Sequence, residues 1–244
     1  MTAARVIENL FLNISGTIRK RYKNNFFVDL VDYYEPLKQN GWYRYSEIET
    51  QNWVIDNVRE DWVIFDCGAH IGYYSMLFSH CAPKGKIYAF EASEETCKKF
   101  MKNLRYNVRR FDRKFENIEL ENKALADQVR YGAEEIIYFS GKPDNGKTYG
   151  KFDFITIDYF CESRDINCLN LIKTDVDGWD YEVLLGASKT IKKYKPFIIA
   201  EINYALGWRN HTEEDVKRFL EEVDYTYTVL DYPSPTNWLM YPKK

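Results

Sequence analysis

Five short apolar runs recur along this chain, mostly with helix-patterned sequence between them: WVIFD (Trp62–Asp66), KIYAFE (Lys86–Glu91), NIELEN (Asn117–Asn122), LNLIKTD (Leu169–Asp175) and PFIIAEIN (Pro196–Asn203). Strands of this kind are covered on both faces, and helices between them let successive strands lie parallel. The expected fold is therefore α/β, a doubly wound, mostly parallel sheet with helices on both sides. YTYTVLD (Tyr225–Asp231) and NWLMYP (Asn237–Pro242) have no helix between them and read as an antiparallel pair closing one edge. Between the third and fourth core strands, EEIIYFSGKPDNGKTYGKFDFITID reads as a β-rich insertion with a turn at Pro143–Gly146.

The N-terminal stretch differs. Val6, Ile7, Leu10, Phe11, Ile14 and Ile18 fall at helical spacing, and the basic cluster RKRYK (Arg19–Lys23) suits the C-terminal end of that helix. From Phe26 to Thr50 the sequence is aromatic with little periodicity, as in an irregular connection. Residues 1–50 are thus expected to be an N-terminal helix and connection, and residues 51–244 the main domain. A chain of 244 residues supports one substantial core.

A formal net charge of -3, with both signs interspersed, gives no global field to attract a nucleic acid. Five cysteines form no Cys-x-x-Cys pair and no zinc-like spacing with the three histidines, which points to reduced thiols and a cytoplasmic protein. Glu8, Asn9 and Asn13 interrupt the N-terminal apolar run, so it is not read as a signal peptide. No run reaches the ~18 apolar residues of a membrane span.

The first apolar run ends in DCGAHIGYYS (Asp66–Ser75), an acid and a small-residue turn leading into a helix. In a doubly wound sheet ligands sit at the carboxyl ends of the strands, where the strand order reverses. Gly68 and Gly72 flank Ala69-His70-Ile71, and the turn reads as a shelf on which a ligand approaches the backbone closely. Glu91 ends the second strand about twenty residues later, where a carboxylate accepts hydrogen bonds from the 2′- and 3′-hydroxyls of a ribose. NAD and S-adenosylmethionine share that ribose, but the Gly-x-Gly-x-x-Gly spacing of a dinucleotide site is absent.

Four segments in order, CGAHIGYYS, IYAFEAS, LIKTDVDGWD and FIIAEIN, resemble the motifs of the FkbM family of S-adenosylmethionine-dependent O-methyltransferases across about residues 49–203. His70 stands in place of the family's asparagine, Ala92-Ser93 in place of a proline, and Asp177 in place of a glutamate. The resemblance implies a class I methyltransferase (Rossmann-like) fold. It implies that Asp66, Gly68, Ala69, His70 and Gly72 hold the methionine part of S-adenosyl-L-methionine, with Asp175 beside it. Glu91 and Ala92 would then border the ribose, and Asn122 and Ala124 the adenine edge. The implied acceptor is a hydroxyl of a sugar in a polysaccharide, glycolipid or glycosylated natural product.

A sugar hydroxyl needs help to lose its proton before it attacks a methyl group. Lys173 and Asp175 stand inside or at the end of an apolar strand, where unpaired charge is costly, so Asp175 is the candidate base and Lys173 its companion. His211, in the loop after the fifth strand, is an alternative base. Asp175 and Glu201 are candidate ligands if a divalent metal takes part. An RNA 2′-O-methyltransferase and a non-catalytic cofactor-binding subunit are the competing readings. The expected partners are a carbohydrate or glycan acceptor and no nucleic acid, with homo-oligomerisation open.

Overall fold

In the computed structural model, which describes residues 18–21, 26–30, 47–138, 147–231 and 236–244, neighbouring residues of each central strand enter opposite cores. A period of two along an extended chain requires this. Ile64, Leu171, Ile199 and Leu239 are buried on one side of the sheet, and Phe65, Ile172, Ile198 and Met240 on the other.

The chain begins with a small antiparallel pair, β1 (Ile18–Arg21) and β2 (Phe27–Leu30). Helix α1 (Ile48–Asn57) leads to β3 (Val63–Cys67), α2 (Tyr73–Cys81), β4 (Lys86–Phe90), α3 (Glu94–Phe111) and β5 (Ile118–Glu121). A three-stranded unit follows, made of β6 (Ala124–Leu125), β7 (Arg130–Tyr138) and β8 (Lys147–Ile155). Next come α4 (Ile157–Ser163), β9 (Leu171–Thr174), α5 (Asp180–Leu185), α6 (Ser188–Tyr194) and β10 (Phe197–Glu201). A 3-10 turn over Tyr204–Arg209, α7 (Glu213–Glu222), β11 (Tyr225–Val229) and β12 (Asn237–Pro242) complete the fold.

The central sheet has seven strands in the order β11-β12-β10-β9-β3-β4-β5. β5, β4, β3, β9 and β10 run parallel, and β12 is antiparallel to both its neighbours. The five core strands and the β-rich insertion therefore lie where the apolar runs predict. The order reverses between β3 and β9, so the ligand crevice of such a sheet opens at their carboxyl ends.

Local chemistry explains the helices. Ser93 caps α3 by accepting the Thr96 N–H at 3.2 Å, Glu94 and Glu95 lie in its first turn, and Arg109 and Arg110 in its last. This arrangement complements the helix dipole. Thr212 and Asp215 form a reciprocal capping box on α7.

The C-terminal antiparallel pair lies at one edge of the sheet as expected, with β12 against β10 and β11 outermost. One expectation changes. Arg19–Arg21, expected at a helix C-terminus, belong to β1, while the helix expected over residues 1–17 lies outside the described residues, as do Tyr22, Lys23 and the turn at 143–146. The packing also crosses residue 50. Phe26, Val28 and Leu30 are buried in the same cluster as Ile64 and Leu77. The Asn107 side chain ties β2 to α3, accepting the Asp29 N–H at 2.9 Å and donating to the Asp29 carbonyl at 2.7 Å.

Gly68 shows what its turn is for. It has φ of +82°, and a Cβ there would lie 2.0 Å from the Asp175 carbonyl oxygen. The clash is with protein backbone, so the expectation that Gly68 makes room for a ligand is corrected: it lets the end of β3 approach the end of β9. Gly68→Ala should destabilise the fold by ~2–5 kcal/mol, combining ~1–2 for left-handed backbone and ~1–3 for overpacking. Urea denaturation measures this, and a stability unchanged from the parent would show that the two strand ends separate easily.

Candidate active site

Where the apolar pattern of the central strands ends, a row of polar side chains begins on the α1–α2 face. Asp66 of β3 is the ladder neighbour of Lys173 of β9, and both are buried. Lys173 donates to Asp175 Oδ2 at 3.1 Å, and its Nζ lies 4.5 Å from the centre of the Tyr74 ring. Burial opposes its charge, but Asp175, Glu47 and Asp66 outweigh burial and raise its pKa above the ordinary lysine value. Glu47, just before α1, is buried too and accepts from the Tyr73 hydroxyl and from Asn237 Nδ2. Glu201 ends β10 beside this row; burial, then the charges of Asp175, Asp180 and Asp177, push its pKa far up.

Asp66 does not line an open shelf, contrary to expectation. It is 1% exposed, and its Oδ2 accepts from Ser75 of α2 at 2.5 Å. Burial raises its pKa to about 6, against the pull of Lys173 and Ser75. Its Oδ1 is buried without a hydrogen-bond partner.

The turn after β3 is fastened to the end of β4. Gly68 and Ala69 donate their N–H groups to the Phe90 carbonyl, and His70, at φ 51°, donates its N–H to Glu91 Oε2 at 3.0 Å. Glu91 Oε1 accepts the Ser93 N–H at 2.8 Å. Burial raises the Glu91 pKa to about 7 despite the backbone donors of Ser93, His70 and Ala92. A carboxylate offers about four acceptor sites, so Glu91 keeps acceptor capacity for a ribose hydroxyl. Gly72 opens α2 with no side-chain cap, leaving a helix N-terminus that favours an anionic group such as a carboxylate. These features fit S-adenosylmethionine: acceptors for its ribose, and a helix N-terminus for its carboxylate. The His70 ring is half-buried, and burial lowers its pKa to about 4 against the charge of Asp175.

Of the two expected adenine contacts, Asn122 is exposed and Ala124 is buried. Asn122 Nδ2 donates to the carbonyls of Glu91 and Ala92 at 2.9 and 3.0 Å, bracing the ribose-side turn. Ala124 lies in β6 and is buried against Phe154 and Trp179. Ala92 packs partly buried on the same cluster.

Asp175 faces outward. Its side chain is 34% exposed, and Lys173 is bound to only one of its oxygens. His211 is not joined to it. Its Nε2 lies 3.2 Å from Glu182 Oε1, and its ring packs edge-on against Tyr181 at 4.7 Å. Arg209 Nε donates to the same Glu182 oxygen at 3.0 Å, and its guanidinium sits 3.5 Å above the Trp179 ring. Sequence reasoning missed Glu47, Trp179, Glu182 and Arg209; the WD of DVDGWD was the available signal for Trp179. Among the described residues no three His, Cys, Asp or Glu side chains are grouped to hold a metal ion. Among them also, no helix is long and apolar enough to cross a membrane.

In shape, the chain is similar to the crystal structure of methyltransferase FkbM from Methylobacillus flagellatus KT, with a TM-score of 0.53 at 17% identity over 75% of this chain and 44% of that one. It is also similar to precorrin-6y C5,15-methyltransferase from Geobacter metallireducens GS-15, with a TM-score of 0.50 at 14% identity over 82% and 90% of the two chains. Both share its class I methyltransferase fold. In sequence it is 28% identical over 180 residues to the hexuronic acid methyltransferase AglP of Haloferax volcanii, which covers 69% of this chain; the match spans 65% of that relative, less than two thirds of its length. The model of the methyltransferase FkbM domain matches residues 66–227. The chain belongs to the FkbM family of methyltransferases.

Proposed function

We propose that this protein transfers a methyl group from S-adenosylmethionine to a hydroxyl of a sugar. One observation carries the reading: His70 donates its backbone N–H to Glu91 while its ring feels the charge of Asp175, so one residue links the ribose-binding carboxylate to the candidate base. The sugar-directed relative, a hexuronic acid methyltransferase, supports the acceptor class.

When bound, S-adenosylmethionine supplies an electrophilic methyl group. The chain aligns the acceptor and manages its proton. Glu91 accepts hydrogen bonds from the ribose hydroxyls, and the turn at residues 68–72 with the N-terminus of α2 holds the amino-acid end. Asp175, steadied by Lys173 through one oxygen, uses the other to accept the proton of the attacking hydroxyl. His70, which burial keeps neutral, is the nearby alternative acceptor, because His211 is committed to Glu182. Asp175 and Asp177, close enough to raise the pKa of Glu201, leave the mouth acidic, which disfavours the RNA reading because a phosphodiester would be repelled there.

Glu91 makes cofactor affinity depend on pH. Its pKa of about 7 means that it gains a proton and loses acceptor capacity as pH falls through neutrality. Cofactor binding to the ionised form should be about tenfold weaker at pH 6 than at pH 8. Calorimetry with S-adenosylhomocysteine across that range measures it, and Glu91→Gln should flatten the profile; a flat profile in the parent would separate Glu91 from the ribose.

Asp175→Asn should lower the rate of methyl transfer to a sugar by ~10²–10⁴-fold while leaving S-adenosylhomocysteine affinity within a few-fold. His70→Ala is the paired measurement. Full activity of Asp175→Asn with loss in His70→Ala would move the base to the histidine.

A further inference from the structure

Beyond Asp175 the loop turns through Trp179 into α5, and two buried polar atoms there have no partner among the described residues. Among these, the indole N–H of Trp179, a residue 3% exposed, meets no acceptor and Glu182 Oε2 no donor. Glu182 Oε1, by contrast, is shared by Arg209 and His211. Buried polar groups are nearly always paired, so an orphan donor and an orphan acceptor in one cluster mark a place where something else supplies the partners.

Two guanidinium groups stand over this floor. Arg209 lies 3.5 Å and Arg130, at the start of β7, 5.8 Å from the centre of the Trp179 ring. Glu135, also on β7, approaches both at ion-pair range but beyond hydrogen-bond distance, 3.9 Å from Arg209 and 3.8 Å from Arg130. The two arginines thus converge on a carboxylate they do not hydrogen-bond. Forked guanidinium donors bind carboxylate and phosphate oxygens best in close, paired geometry.

We infer that Arg130 and Arg209, above Trp179, form a subsite for an anionic group of the acceptor sugar, a carboxylate or a phosphate. Trp179 N–H and Glu182 Oε2 bond neighbouring hydroxyls of the same sugar. The inference rests on the sugar-methyltransferase reading and adds the charge of the substrate and its orientation. An anionic end is repelled by Asp175 and Asp177, so it lies at the arginines and presents a hydroxyl to Asp175. The Trp179 backbone N–H, which donates to the Val176 carbonyl at 3.3 Å, fixes the subsite floor to the loop that carries Asp175.

The test titrates the protein, saturated with S-adenosylhomocysteine, with methyl β-D-glucuronide, glucose 6-phosphate and methyl β-D-glucoside in a calorimeter. At least one anionic sugar should bind about tenfold or more tightly than the glucoside, the strength of one added charge-assisted hydrogen bond. The tighter of the two says whether a carboxylate or a phosphate is the natural group. Arg209→Gln and Arg130→Gln should each erase the preference, with S-adenosylhomocysteine affinity unchanged as the check on folding, and Arg209→Lys should restore part of it. Equal affinity for all three sugars overturns the subsite, as does a preference that survives both glutamine substitutions. Transfer from labelled S-adenosylmethionine is scored in parallel. An anionic preference without transfer to any sugar overturns the sugar-methyltransferase reading and leaves the subsite standing.

Discussion

An ammonium buried between parallel strands is tolerable only where carboxylates surround it, and the working end of this sheet is arranged around that requirement at Lys173. Asp175 bonds it directly, Asp66 sits across the ladder, and Glu47 reaches it from the start of α1. These partners come from β3, from the loop after β9 and from the segment ahead of α1, while Tyr74 of α2 lies beside the charge. One cation therefore sets the relative positions of four pieces of chain. Removing Lys173 leaves the buried carboxyl groups uncompensated, an effect of ~3–5 kcal/mol for a broken buried pair. The turn that follows β3 inherits its place from this cluster, and Glu91 receives the turn's His70 N–H as a result.

The same row explains why the site divides into an acidic and a basic half. Lys173 is outnumbered by carboxyl groups, and burial relieves the excess by favouring protonation, as the raised pKa values of Asp66, Asp180 and Glu201 indicate. Asp180 keeps one oxygen on the Thr174 hydroxyl at 2.8 Å, which anchors the first turn of α5. On the other side of that helix start, the Arg209 and Arg130 guanidinium groups stand over Trp179, each beside a carboxylate of Glu135 or Glu182. A polar molecule lying across DVDGWD therefore meets carboxyl groups at one end and guanidinium groups at the other.

Much of this architecture was legible because it depends on local pattern. Apolar runs ending in acids placed β3, β4, β9 and β10 together with Asp66, Glu91, Asp175 and Glu201 at their carboxyl ends. What escaped depends on tertiary approach. A glycine in a turn looks the same whether a ligand or a strand lies opposite, and only the fold puts the Asp175 carbonyl 2.0 Å from a Gly68 Cβ. Glu47 lies in a stretch without periodicity, so nothing marked it as the third partner of Lys173. His211 looked available from its place after β10, but α5 brings Glu182 to it first. Arg130 and Arg209 are distant in sequence and meet only because the β6–β8 unit folds over the strand ends.

The insertion of β12 between β10 and β11 has a consequence for how the chain reaches this state. During synthesis β10 and β11 emerge before the strand that joins them, so the open edge of β10, with Ile198 and Ile199 on its two faces, waits for residues 237–242. Closing the sheet is thus a late, non-local event that is slow because distant segments must find each other. Until then a parallel sheet carries an unpaired apolar edge, the kind of surface that recruits other chains. The interval between the emergence of β10 and the arrival of β12 is the window in which this protein is most exposed to misassembly and most in need of a chaperone.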